Sequence, residues 1–222
     1  MNNLIVEQKT GLNKKIHFER AIFISWYCSL GDCTYCYMST QKSLISDPNK
    51  AKRSTASILA EAYLCKKLGW KVGNLAAGYG SYTHESILEL VKSVYSITAR
   101  TTSGTNSVGS EKLWLNVGVL PEKTIEALKP YLEGIYVAVE TTNEEVHKKT
   151  APNKPIAPIE RMYKICDKHN LKKAMTFIVG MGETIDDFDP LKNFIIKNNL
   201  DKVVFYALNP IKGTMFENNN NK

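Results

Sequence analysis

Residues 21–36 read AIFISWYCSLGDCTYC, an apolar run followed by three closely spaced cysteines. The run AIFISW is rich in the β-branched and aromatic residues that favour a strand. The thiols follow with the spacing Cys28-x4-Cys33-x2-Cys36. Gly31 and Asp32 indicate a loop, because both residue types favour turns. The stretch therefore predicts a strand that delivers three thiols to the loop at its carboxyl end, where α/β proteins build their sites.

The rest of the chain continues this beginning, with short β-rich runs alternating with helical patterns. Candidate strands are residues 21–26, 72–78, 112–118, 135–141, 174–180 and 203–209. Candidate helices are residues 55–69, 84–98, 121–132, 157–170 and 184–199. Repeated β-α units with nearly continuous apolar strands predict a parallel sheet covered by helices. Six units are visible where a full barrel has eight, so we expect an α/β fold, a partial TIM-type barrel or a truncated piece of a longer one.

Length and composition set the class of protein. The 222 residues suffice for one sizeable core, and we expect an N-terminal extension over 1–20 and one core domain over 21–222. The polar, Gly/Ser-rich residues 101–110 predict a long loop. The opening lacks the layout of a secretory signal, and no apolar run is long enough for a membrane span. We expect a cytoplasmic protein, in which cysteines are more often ligands or catalysts than disulfides.

The formal net charge of +7 raises the question of a polyanionic partner. The excess is mostly lysine scattered along the chain, without a basic run interleaved with aromatics. A solvated lysine-rich surface is therefore the expectation, with neither nucleic acid nor membrane as a partner.

Three uses of the clustered thiols compete. A structural zinc site takes four ligands, and the nearest histidine in the sequence, His17, stands at no recognised spacing. A role as small buried core residues fits a loop poorly, although we expect it for Cys65 and Cys166, which lie in helical patterns. An iron–sulfur cluster held by three thiolates leaves one iron without a protein ligand, open to a substrate. The cluster is the favoured hypothesis, and zinc stays the alternative.

Three cysteines after the first strand, with the aromatic Tyr35 between the last two, resemble the radical S-adenosylmethionine superfamily. The resemblance implies that Cys28, Cys33 and Cys36 bind a [4Fe-4S] cluster and form the catalytic centre. It also implies that S-adenosyl-L-methionine binds the open iron and is cleaved to a 5′-deoxyadenosyl radical, which abstracts hydrogen from a substrate. Members usually have three residues between the first two cysteines, whereas this chain has four.

Further motifs extend the resemblance along nearly the whole chain. AAGYG (76–80) is similar to the glycine-rich turn near the methionine amine of the cofactor, and TFIVGMGET (176–184) to the biotin-synthase-type adenine motif, with Thr176 in place of its usual glycine. ALNPIKGT (207–214) resembles the end of the sixth strand, and Arg161 corresponds to an arginine that pairs with the cofactor carboxylate. The implied cofactor-binding residues are Tyr35, Gly78, Tyr79, Gly80, Glu140, Arg161, Ile178, Gly180 and Asn209.

Each of these features alone predicts only an ordinary turn or a surface charge, and their order behind the cysteines carries the hypothesis. Side chains that point inward from strand ends are expected to contact the substrate, and Asn116 and Tyr206 are the candidates. The group with the most similar motifs is the biotin-synthase-like one. Within it, SWYCSLGDCTYCYMSTQK (25–42) resembles the HmdB-type proteins of methanogenic archaea, which have one more residue in the first gap.

That resemblance implies a small-molecule substrate on the way to the pyridinol of the iron-guanylylpyridinol cofactor of the iron-only hydrogenase. It also implies a low-potential electron donor resembling ferredoxin or flavodoxin. Two alternatives stay open. One is another enzyme of the group, such as biotin synthase, methylornithine synthase or a diiron-hydrogenase maturase. The other is a non-catalytic iron–sulfur scaffold or electron carrier.

Overall fold

A computed structural model of the chain describes residues 18–99 and 112–217. These residues form one sheet of six parallel strands, whose order in space is their order in the chain. The strands are β1 (Glu19–Phe23), β2 (Lys71–Ala76), β3 (Leu113–Asn116), β4 (Leu132–Glu140), β5 (Lys172–Val179) and β6 (Lys202–Ala207). Sequential parallel neighbours follow from repeated β-α-β crossovers of one hand. The sheet is a half-barrel, which confirms the predicted partial TIM-type fold.

The helices of the described residues are α1 (Tyr37–Gln41), α2 (Thr55–Leu68), α3 (His84–Thr98), α4 (Glu122–Leu128), α5 (Glu144–Thr150), α6 (Ile156–Lys168) and α7 (Phe188–Lys197), with 3-10 turns at Pro48–Ala51 and Ile185–Asp187. Helices α2, α3, α4, α6 and α7 cover the outer face of the half-barrel and bury side chains in the core there. The short helices α1 and α5 lie instead at the cysteine loop. Every predicted strand and helix has a counterpart, with ends that differ by a few residues. The helix expected over 121–132 ends early because β4 already begins at Leu132. The short helices α1 and α5 were not predicted, since so few residues show little hydrophobic period.

Two predicted segments lie wholly or mostly outside the residues that the structure describes. The loop expected over 101–110 and most of the N-terminal extension lie outside the described residues. β1 begins at Glu19, two residues inside that predicted extension. Among the helices of residues 18–99 and 112–217, none is both long and apolar enough to cross a bilayer.

The main core lies between the sheet and its helices. Alternate strand residues such as Ile22, Leu115 and Val137 point outward into it and are fully buried. Cys65 of α2 and Cys166 of α6 belong to the same core, which confirms the core role expected for these two cysteines. Apolar burial of this kind is the dominant stabilising contribution in a domain of this size.

The concave face of the sheet has a smaller apolar cluster of its own. Trp114, Tyr136 and Ala174 form it, and the ring centres of the two aromatics are 5.0 Å apart. Because side chains alternate along a strand, Asn116 lies on the same face as Trp114, and Thr176 on the same face as Ala174. The interior therefore has an aromatic floor, with polar side chains nearer the carboxyl ends of the strands.

Candidate active site

The cysteine loop leaves β1 at the carboxyl edge of the sheet. Cys33 is buried, Cys28 and Cys36 are partly buried, and all three are free thiols. Gly31 has a φ of +54°, in the left-handed region where glycine avoids the clash of a Cβ. The amide of Cys36 donates to the Cys33 carbonyl at 3.1 Å, and α1 begins at the next residue. The predicted loop with its glycine turn is therefore confirmed.

Two segments from later in the chain hold this loop. The amide of Thr34 donates to the Thr150 carbonyl at the end of α5 at 2.8 Å, and the amide of Met215 donates to the Thr34 carbonyl at 3.0 Å. Cys33 and Tyr35 also pack in a small buried cluster with Met181. Long-range contacts thus position the thiols, which spacing alone does not reveal.

The AAGYG turn after β2 supports the first cysteine. The Ser29 amide donates to the Tyr79 carbonyl at 2.9 Å, and the Ser81 hydroxyl donates to the Tyr27 carbonyl at 2.7 Å. A Cβ at Gly78 would lie 2.5 Å from the Cβ of Cys28, closer than real Cβ contacts. Two backbones therefore approach at Gly78 more closely than any other residue type allows.

Glu140 ends β4 in a conformation that is uncommon for its residue type. Its φ is +70°, and the strand register shifts between Ala138 and Glu140. Such backbone costs about 1–3 kcal/mol and clusters at functional sites. The carboxyl is 8% exposed and accepts a hydrogen bond of 3.0 Å from Thr176 Oγ1. This bond is a physical reason for threonine where the similar adenine motif usually has glycine.

Glu140 lies in an electrostatically mixed environment. Burial raises the pKa of its carboxyl, while the Lys154 ammonium, the Thr176 hydrogen bond and His147 act in the opposite direction. The side chain is thus a buried carboxyl near the Lys154 ammonium, at the carboxyl edge of the sheet. Such a group is able to accept hydrogen bonds from a ligand.

Lys154 was not predicted as a site residue. It is 3% exposed, and its ammonium donates to the Tyr35 hydroxyl oxygen at 2.8 Å. Tyr35 in turn shares a buried cluster with Cys33, and its hydroxyl lowers the pKa of the Cys33 thiol. The segment APNKP (151–155) has the composition of a turn, and no local pattern indicates that its lysine points inward.

The three thiols influence one another. Burial raises the pKa of Cys33, and the Lys154 ammonium and the Tyr35 hydrogen bond oppose that shift. Burial also raises the pKa of Cys36, and the nearby Cys33 and Cys28 thiolates add to the shift. Thiols whose ionisation is opposed by burial, as those of Cys33 and Cys36 are, become favourable ligands once a cationic centre shares them. Together with Cys28 they form a donor set that fits an iron–sulfur cluster.

The geometry is less suited to a single ion. Within residues 18–99 and 112–217, no three side chains of histidine, cysteine, aspartate or glutamate converge on a point that could hold one metal ion. Zinc draws its sulfur ligands to about 2.3 Å and so requires such a point. Thiolates that bind separate irons of a cluster need not converge on one point.

Tyr79 places a phenol beside the thiols. Its hydroxyl is buried and has no hydrogen-bond partner within the described part of the chain. Burial raises its pKa well above the ordinary value, and Cys28, Cys33 and Glu140 contribute to the shift. A buried donor without a partner is costly, so this hydroxyl is available to a ligand atom.

The GMGET turn after β5 is organised by a residue that was not predicted. The Glu183 carboxylate accepts hydrogen bonds from the amides of Gly180, Met181 at 2.9 Å and Gly182 at 3.2 Å. Both glycines have positive φ, at +108° and +122°. Ile178, just before the turn, packs against the cluster that contains Cys33 and Tyr35. The turn thus lies beside the cysteine loop.

The remaining predicted site residues differ in their placement. Tyr206 is half-exposed, and its pKa is raised by burial and by the neighbouring Tyr136 and Glu140, so it faces the same interior as Asn116.

Asn209 is exposed, one residue after Leu208, which packs against the cysteine-loop cluster. Arg161 is exposed on α6 and makes no hydrogen bond or ion pair with any described residue. The structure therefore does not join Arg161 to the other site residues.

Known proteins share both sequence and fold with this chain. The family model described as the Radical SAM superfamily matches residues 22–195. An uncharacterized protein of Methanocaldococcus jannaschii is 38% identical over 204 residues, which are 91% of this chain and 53% of that protein. The 7,8-didemethyl-8-hydroxy-5-deazariboflavin synthase of Methanococcoides burtonii is 33% identical over 113 residues, which are 49% of this chain and 34% of that protein.

The fold has a counterpart among solved structures. The crystal structure of methylornithine synthase matches with a TM-score of 0.74 at 17% sequence identity, over 91% of this chain and 57% of that one. The chain spans about half the length of the curated relatives it matches over most of its own residues.

Proposed function

The chain belongs to the radical SAM superfamily, and from this premise we propose that it carries the cluster and cofactor site of a hydrogen-abstracting enzyme. Cys28, Cys33 and Cys36 would hold a [4Fe-4S] cluster beside S-adenosyl-L-methionine, the cofactors that the family uses. When bound, the cluster supplies the electron that cleaves the cofactor to methionine and a 5′-deoxyadenosyl radical. The observation that carries the proposal is the set of three free thiols in one loop at the carboxyl end of β1.

The residues around the thiols suit a cofactor with both polar and aromatic parts. Gly78 brings the backbone of the AAGYG turn against the cysteine loop, and the free Tyr79 hydroxyl offers a donor there. Glu140 offers a buried acceptor for hydroxyl or amino groups. Ile178 offers an apolar contact for a purine ring next to the glycine turn. The proposed cofactor-binding set is Tyr35, Gly78, Tyr79, Gly80, Glu140, Arg161, Ile178, Gly180 and Asn209.

We assign the substrate to the concave face of the half-barrel. Strand alternation assigns Asn116 to the same face as Trp114, and Tyr206 lies near Tyr136 of the aromatic floor. The floor offers stacking area and the two upper side chains offer hydrogen bonds, a combination typical of small-molecule sites. The partners we propose are thus a small organic substrate and a low-potential electron donor resembling ferredoxin or flavodoxin.

The more specific proposal is a role in cofactor biosynthesis, in forming the pyridinol of the iron-guanylylpyridinol cofactor. Its support is the likeness of CYMSTQK (36–42) to HmdB-type proteins and the source of the relatives in methanogens. The name of the Methanococcoides relative describes synthesis of a deazaflavin, also a nitrogen-containing aromatic ring. Product analysis with extracts of a methanogen would test this step separately from cofactor cleavage.

The first experiment is anaerobic reconstitution with iron and sulfide. We expect about four irons and four sulfides per chain, and their loss in Cys33→Ala. Cys65→Ala is the matched control, because Cys65 lies on α2 and is buried in the main hydrophobic core. This substitution should leave the iron content unchanged. Tightly bound zinc without iron uptake would contradict the cluster.

The second experiment addresses catalysis. With dithionite and S-adenosylmethionine, the loaded protein should release 5′-deoxyadenosine, and adding the cofactor should change the spectrum of the reduced cluster. An electron carrier or scaffold would bind the cluster but show neither effect. A fully loaded protein that responds to the cofactor in neither way would therefore favour the non-enzymatic alternative.

A further inference from the structure

We propose that Lys154 raises the reduction potential of the centre held by the cysteine loop, through a hydrogen-bond chain from its ammonium to the Tyr35 hydroxyl and on to the Cys33 sulfur. The inference rests on the proposed function for the presence of the cluster, and deepens it by naming a residue that tunes electron transfer. Lys154 is here a positioning residue, since it acts on the ligand through Tyr35.

The direction of the chain follows from the chemistry of its members. An ammonium group has only donors, so the bond of 2.8 Å between Lys154 Nζ and Tyr35 Oη runs from lysine to tyrosine. The tyrosine oxygen is then an acceptor, which leaves its own hydrogen for another partner. Tyr35 and Cys33 share one buried cluster, and the tyrosine hydroxyl lowers the pKa of the Cys33 thiol. Each donor polarises the next, so the positive charge strengthens the bond to sulfur.

The surroundings hold Lys154 in this place. Its carbonyl oxygen lies 2.6 Å from Nε2 of the buried His147, and its amide donates to the Ala151 carbonyl at 3.1 Å. The ammonium lies 5.5 Å from the centre of the Tyr35 ring, beyond the hydroxyl and in line with the C–O bond. Burying a charge is unfavourable unless it is compensated. The Lys154 ammonium interacts favourably with the nearby Glu140 carboxyl, whose pKa it lowers against the larger effect of burial.

The expected consequence is electrostatic. Reduction adds negative charge to a thiolate-ligated cluster, and both hydrogen bonds to its sulfurs and nearby positive charge stabilise that added charge. Lys154 would supply the positive charge, and Tyr35 would supply the hydrogen bond to a sulfur. Removing the lysine should therefore make the cluster harder to reduce, without removing any of its ligands.

The test is a redox titration of the reconstituted protein, followed by the electron paramagnetic resonance signal of the reduced cluster. We expect Lys154→Met to lower the midpoint potential. Lys154→Arg keeps the positive charge and should have a midpoint potential close to that of wild type. Tyr35→Phe should also lower the potential, by less, because the charge stays. Lys149→Met is the control, because Lys149 is an exposed lysine in the preceding helix α5, and it should cause no shift.

Each outcome decides the inference. A potential in Lys154→Met equal to that of Lys149→Met would overturn it. A shift in Lys154→Met with none in Tyr35→Phe would overturn the hydrogen-bond chain. If Lys154→Met takes up no iron, Tyr35→Phe decides alone, a lowered potential supporting the chain and an unchanged one overturning it. Wild-type protein without a cluster would instead refute the proposed function, whereas a loaded, cofactor-cleaving wild type with unshifted variants refutes only this inference.

Discussion

Gly78 lies so close to Cys28 that a Cβ at position 78 would come within 2.5 Å of the Cys28 Cβ and 2.8 Å of its Cα. These neighbours belong to backbone or sit next to it, so no rotamer change relieves the contact. The AAGYG turn and the start of the cysteine loop are thus fitted to each other. The position of the first thiol depends on the absence of a side chain at position 78.

Gly78→Ala is expected to displace Cys28 and so to reduce the iron bound after reconstitution. The overpacking should also lower the free energy of unfolding by roughly 1–3 kcal/mol. Iron and sulfide content and thermal denaturation measure the two effects. Gly69→Ala is the control, because Gly69 has a φ of +69° at the end of α2 and open space around it. That change should destabilise the protein and leave iron content unaffected, whereas equal iron loss in both variants would contradict the close-approach explanation.

Thr176→Val should destabilise the protein by leaving the Glu140 carboxyl buried without its hydroxyl donor. The two side chains have nearly the same shape, so the change removes the bond of 3.0 Å and little packing. We expect a loss of about 1–3 kcal/mol in the free energy of unfolding, measured by urea denaturation. Thr176→Ser keeps the hydroxyl and should retain most of that contribution. A valine variant as stable as wild type would mean that the carboxyl has another partner.

Glu183→Gln should weaken cofactor binding while leaving the cluster in place. The wild-type carboxylate accepts from three consecutive amides of the GMGET turn, and an amide group has fewer acceptor sites and adds donors that oppose them. A loss of about 1.4 kcal/mol in the turn corresponds to a roughly tenfold weaker affinity. Titrating S-adenosylmethionine against the spectrum of the reduced cluster measures this. Asp186→Asn, exposed just beyond the turn, should leave the affinity unchanged.

The predicted and the unpredicted parts of this site differ in the range of the interactions that make them. The cysteine loop and the strands around it follow from local signals, namely short apolar runs, a helical period and Gly31 in a turn. Lys154 meets Tyr35 across 119 residues of chain, and nothing near APNKP indicates that contact. Glu183 lies inside the GMGET motif, whose glycines predict a turn, but its bonds to the three amides form only when the turn is folded.

Orientation was the other quantity that the sequence left undetermined. The sequence predicts Asn116 and Tyr206 as substrate contacts but does not fix which face of the sheet their side chains occupy. The cluster of Trp114 and Tyr136 marks the concave face, to which strand alternation assigns both residues. The resemblance implies a cofactor contact for Arg161, and the structure places this residue exposed on α6. A long side chain on a helix surface can point in several directions, so sequence alignment identifies its position but not its contacts.

Cys166 gives a pH dependence that is independent of the cluster. Burial raises the pKa of this core thiol to about 12 from an ordinary value of 9.0, with the nearby Lys173 ammonium opposing the shift. A raised pKa in the folded state means that the thiol stabilises the fold fully below about pH 9 and loses this contribution as the pH rises towards 12. The free energy of unfolding should therefore fall more steeply above pH 9 in wild type than in Cys166→Ala. At neutral pH the alanine variant should be the less stable of the two, because the substitution leaves a small cavity in the core. Urea denaturation of both proteins across this range measures the difference, and parallel curves would show that the thiol ionises as easily in the folded state as in the unfolded one.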